Sequence, residues 1–96
     1  MEFLVAYDVA TTTPEGRTRL RQVARICEAY GQRVQQSVFE CILDAVQLEL
    51  LLHQLRTTIN LEEDSLRIYR LREPRAKYLR VIGKHPLRDL HDSLIL

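Results

Sequence analysis

Asp8 is the first side chain of the sequence with a use beyond packing. It closes the run Phe3-Leu4-Val5-Ala6-Tyr7-Asp8, whose alternation puts it in the row of Leu4 and Ala6. A carboxylate ending an apolar strand is either a solvated strand terminator or the partner of a cation. Alone it makes a poor metal site, because Mg2+ takes one or two carboxylates and completes its octahedron with water and substrate phosphates. A symmetric dimer apposing two copies of Asp8 would supply the pair. Mg2+ or Mn2+ held there would suit metal-assisted hydrolysis of a phosphodiester.

Phosphate also suits the basic residues. Net charge is +1, yet residues 65–88 carry Arg67, Arg70, Arg72, Arg75, Lys77, Arg80, Lys84 and Arg88 against Glu73 alone, while residues 1–64 are acidic on balance. Most of these cations are Arg, whose planar donor fork matches phosphate oxygens. Arg17, Arg19, Arg21 and Arg25 form a second basic run with no acid among residues 17–25. A solvated Arg-rich surface is the plainer reading of both runs. Other chemistry lacks its pattern. His53, His85 and His91 have no zinc-ligand spacing, and Gly16, Gly31 and Gly83 form no phosphate-binding loop.

The elements that must position these residues follow from periodicity. Residues 2–9 read as a strand apolar on both faces up to Asp8, hence central. Thr13 and Pro14 open an amphipathic helix over 14–30, with Gly31 as its stop. Residues 33–43 read as extended, either one long strand or two short strands bent near Ser37. A second helix spans 45–58 and a strand spans 65–71. Glu73-Pro74-Arg75 reads as a turn, Leu79–Gly83 as a short edge strand, and Ser93–Leu96 as an apolar tail.

This order is α+β, the ferredoxin-like βαββαβ pattern, with an extra C-terminal edge strand or tail. The 96 residues suffice for one domain: a core over 1–73 and the strand and tail over 74–96. Two helices cover one face of such a sheet, so the other face calls for a partner, most simply a second copy. No run approaches the ~20 apolar residues of a membrane span. The N-terminus lacks the basic region of a signal peptide. A cytoplasmic protein without a membrane partner is expected, with Cys27 and Cys41 as buried thiols.

Four segments together carry a resemblance: Phe3–Val9, Gly16-Arg17-Thr18-Arg19-Leu20-Arg21, Tyr30–Glu40 with Arg33-Val34-Gln35-Gln36-Ser37-Val38-Phe39 its most specific part, and Glu63-Asp64-Ser65-Leu66-Arg67-Ile68-Tyr69. They closely resemble the CRISPR-associated protein two family, the small partner of the CRISPR adaptation integrase, over residues 1–72. The resemblance implies a ferredoxin-like homodimer with Asp8 at the family's metal-binding acidic position near the dimer axis and Tyr7 beside it. It implies a Mg2+- or Mn2+-dependent endonuclease acting on single-stranded RNA or double-stranded DNA. It also implies a scaffold that bridges the adaptation integrase during spacer acquisition in antiviral defence.

Arg17, Arg19, Arg21 and Arg33 match the family's basic positions, with the register of the first three open. Ser37 and Phe39 match its Ser-Val-Phe element. Arg67, Arg70 and Arg72 extend the expected nucleic-acid-binding set. A toxin-like messenger-RNA nuclease on the same fold is the alternative.

Overall fold

Thr13 sets the start of the first helix, α1 (Pro14–Tyr30): its Oγ1 accepts a hydrogen bond from Gly16 N at 3.0 Å, and Pro14 stands where no N–H is needed. In the computed structural model, which describes residues 1–84, α1 follows strand β1 (Glu2–Asp8). Gly31 ends α1 as expected, but in an extended rather than a left-handed conformation, and it opens strand β2 (Gly31–Gln35). A glycine is needed there for space, since a Cβ would collide with Cys41 Sγ and the Glu40 carbonyl oxygen.

The extended run resolves into a hairpin. β2 and β3 (Val38–Ile42) join through Gln36 and Ser37, with a register shift between Arg33 and Gln35. Asp44 and Gln47 form a reciprocal capping box, at 2.7 and 2.9 Å, that opens helix α2 (Ala45–Thr58). Strand β4 (Ser65–Arg70) and a short helix α3 (Arg75–Tyr78) complete the described chain.

The sheet order is β2-β3-β1-β4, antiparallel throughout, which is the expected ferredoxin-like topology. β1 is central. Phe3, Val5, Tyr7 and Val9 enter one core with Phe39, Cys41, Val23, Cys27, Leu51 and Leu55, between the sheet and helices α1 and α2. Cys27 and Cys41 are free thiols, and burial pushes them up to about 12 and about 11.

On the opposite face Leu4 and Ala6 are half-buried and Asp8 is exposed. α3 covers the end of this face farthest from Asp8. Arg75, only 6% exposed, reaches Glu40 Oε1 with Nη1 at 2.8 Å and Glu2 Oε1 with Nε at 3.5 Å.

Two expectations beyond β4 change. Glu73-Pro74-Arg75 leads into a helical turn rather than a simple reversal. Leu79–Gly83 forms no strand among the described residues, and Val81 and Ile82 are left exposed. The tail Ser93–Leu96 lies outside the described residues. Among those described, no helix is long and apolar enough to cross a membrane.

Candidate functional site

Asp8 pairs in register with Ser65 at the last rung between β1 and β4. Its carboxylate is exposed and has no side-chain hydrogen bond or ion pair among the described residues. Its backbone, by contrast, is well held. The next residue, Val9, is buried in the core. The one after, Ala10, donates its N–H to Asp64 Oδ1 at 3.0 Å.

Asp64 is the centre of this anchorage, and its side chain is fully buried. Its Oδ2 accepts from Asn60 N at 2.8 Å and from Arg19 Nε at 2.9 Å, and Arg19 also lies 3.6 Å from Glu63. Burial pushes the Asp64 carboxyl up, but the hydrogen bonds from Arg19, Asn60 and Ala10 outweigh it and hold it below the usual carboxylate value. Gly16 closes the other side, because a Cβ there would collide with the Ala10 carbonyl oxygen.

The β2–β3 turn lies at the same end of the sheet. Tyr7 N donates to the Ser37 carbonyl at 3.1 Å, and the Tyr7 hydroxyl donates to the Gln36 carbonyl at 3.3 Å. The Tyr7 and Phe39 rings stack with centroids 6.2 Å apart. Burial raises the Tyr7 hydroxyl above its ordinary value. Arg33 sits over the Phe39 ring at 5.2 Å and 3.7 Å from Glu28. Tyr7, Arg33, Ser37 and Phe39 are therefore brought together beside the end of β1.

The other arginines divide. Arg17, exposed, donates to the Thr11 carbonyl in the loop that follows Asp8 at 3.2 Å, and Arg21, also exposed, donates to Thr18 Oγ1 on its own helix at 3.2 Å. Arg67 pairs in register with Ala6 and donates to the Tyr69 hydroxyl at 3.2 Å. Arg70 stands opposite Phe3, and Arg72 lies beyond it over the Tyr78 ring at 5.4 Å, so both belong to the far end of the sheet. Arg19 has its guanidinium occupied by Asp64, and Arg75, part of the basic surplus, is buried between two carboxylates.

Among the described residues no three His, Cys, Asp or Glu side chains gather into a metal cluster. Asp8 is an exposed hard oxygen donor of the kind Mg2+ takes, as one of the one or two carboxylates such a site uses. Sequence reasoning missed Asp64. The one available signal was the acidic Glu62-Glu63-Asp64 set against the acid-free Arg run of α1.

Known proteins resemble this chain in sequence and in fold. The family model described as CRISPR associated protein Cas2 matches residues 1–78. The chain is 49% identical over 96 residues to CRISPR-associated endoribonuclease Cas2 1 of Moorella thermoacetica, covering 100% of each. It is 50% identical over 95 residues to the CRISPR-associated endonuclease Cas2 of Halalkalibacterium halodurans, covering 99% of each. Its structure is similar to that of Streptococcus pyogenes Cas2, with a TM-score of 0.78 and 44% identity over 86% of this chain and 100% of that one.

Proposed function

The chain belongs to the CRISPR-associated Cas2 family, and from that premise we propose that it serves CRISPR adaptation as a homodimeric, nucleic-acid-binding scaffold bridging the adaptation integrase during spacer acquisition. The second part of the reading is a Mg2+- or Mn2+-dependent endonuclease activity on double-stranded DNA or single-stranded RNA. Its relatives carry the names endoribonuclease and endonuclease. The observation that carries the nuclease is Asp8: exposed, without an intramolecular partner, and carried on a strand end whose backbone is fixed.

Two Asp8 carboxylates across a dimer axis would hold the ion, one from each protomer. When bound, it supplies a water of lowered pKa and charge stabilisation at phosphorus. Arg17 and Arg33 flank that end of the sheet and, with Arg21 exposed on α1, would hold phosphates, which positions a duplex without reading its sequence. The dimer itself is supported by the sheet face away from α1 and α2, where Leu4 and Ala6 are half-buried and Ile42 and Tyr69 are exposed.

Asp8→Asn keeps the side chain's size and removes its charge. Cleavage should fall by about 100-fold or more, the scale of losing several kcal/mol of charge stabilisation. Dimer mass by light scattering and DNA affinity should stay unchanged. Cleavage at the wild-type rate would remove Asp8 from the mechanism. Spacer acquisition in cells should survive the substitution if the scaffold is the physiological role. Its disappearance while the integrase complex still assembles would overturn that preference.

A further inference from the structure

We infer that Asp64 is the positioning residue for Asp8, acting through the Ala10 backbone and oriented by Arg19; this rests on the assignment of Asp8 above. The β1–β4 ladder ends at Asp8 and Ser65, so sheet hydrogen bonds do not fix the chain beyond that rung. Two contacts do. Ala10 N–H is bound by Asp64 Oδ1 at 3.0 Å, and the Ala10 carbonyl lies so close to Gly16 that no Cβ fits between them. The Ala10 N–H is thus held by a hydrogen bond and its carbonyl is confined sterically by Gly16, two positions after the carboxylate.

The clamp is built from three distant segments. Asp64 gathers Ala10 from the loop after β1, Asn60 from the start of its own α2–β4 connection, and Arg19 from α1. The side chain of Asp64 is 0% exposed and Arg19 only 16%, so Asp64 cannot touch nucleic acid and its effect must pass through what it holds. A carboxylate that shares an ion with its symmetry mate has little tolerance. An error in one copy is repeated in the other, and a misplacement of about 1 Å can cost on the order of 100-fold in rate.

The test uses the full-length dimer with Asp64→Asn, which keeps the volume but puts an amide donor where only donors approach. Double-stranded DNA cleavage with Mn2+ should lose about tenfold or more in kcat. KM for DNA should stay within about twofold, since phosphate contacts are untouched. Amide exchange at Ala10, followed by NMR, should quicken while Phe3 and Val5 in the middle of the sheet stay protected. Wild-type kcat, or wild-type protection at Ala10, overturns the inference.

A wild-type protein that does not cleave would count against the nuclease reading of Asp8. Ala10 exchange in Asp64→Asn would then decide the positioning role alone. Should Asp64→Asn fail to fold, Arg19→Lys replaces the fork by a point donor and reads the same two quantities, with the same outcomes counting for and against.

Discussion

β1 is held at both ends by an arginine and carboxylates, in opposite arrangements. At its start, Glu2 and Glu40 share Arg75, which the sequence delivers from more than seventy residues away and which ties α3 onto the open face of the sheet. At its end, the buried carboxylate of Asp64 collects Arg19 and two backbone N–H groups, with Glu63 at the rim, and the acid that belongs to β1 itself, Asp8, is left over. The first cluster consumes the strand's own charge; the second substitutes for it, so that the strand's charge can face outward. Charge neutralisation is thus applied at the end that docks α3 and withheld at the end proposed to meet a cation.

The largest expected effect comes from removing the shared cation. Arg75→Ala leaves two carboxylates facing one another in a largely buried setting, and should cost about 3–4 kcal/mol of unfolding free energy in urea. A loss well under about 1 kcal/mol would show that solvent reaches Glu2 and Glu40 readily, and would break the contrast between the two ends. Gly16→Ala attacks the other end without touching a charge. The added Cβ meets the Ala10 carbonyl, and the strain should cost about 2 kcal/mol, read as a lower urea midpoint with little change in slope.

Acid should act on the Asp64 end in a defined direction. Its folded pKa lies below the ordinary carboxylate value. The stability it contributes is therefore complete above the unfolded value of about 4 and is lost as pH falls through the folded one. Urea midpoints between pH 7 and pH 3 should fall, and Asp64→Asn should flatten that fall. The smallest effect is expected from Arg21→Ala, an exposed residue on α1. It should leave the urea midpoint unchanged while reducing DNA affinity and the steepness of its salt dependence.

Legibility in the sequence tracked locality. β1, α1, α2 and β4 were readable because alternation, helical spacing and the Thr13-Pro14 signal act within a few residues. Asp8 stood out for the same reason, as a polar residue in an apolar row. The sequence allows either one long strand or two over residues 33–43, because the Ser37 turn has neither Gly nor Pro to announce it. What stayed hidden was which arginines are internal. Arg19 and Arg21 look alike in the sequence, yet one meets an acid 45 residues away and the other a neighbouring threonine. Arg75 read as one more basic residue of the surplus. Leu79–Gly83 has a strand's apolar residues, but pairing also requires a partner edge, and among the described residues the segment pairs with none.

The close approach of Gly31 to Cys41 has a practical consequence. With Cys27 and Cys41 both sealed beneath the hairpin and their thiols raised to about 12 and about 11, almost no thiolate meets solvent at neutral pH. A thiol-reactive dye can label either sulfur only after β3 and α1 part, so labelling rate becomes a clock for opening of the core. The chain carries its own unfolding reporter, with no probe to engineer and no disulfide to reduce beforehand.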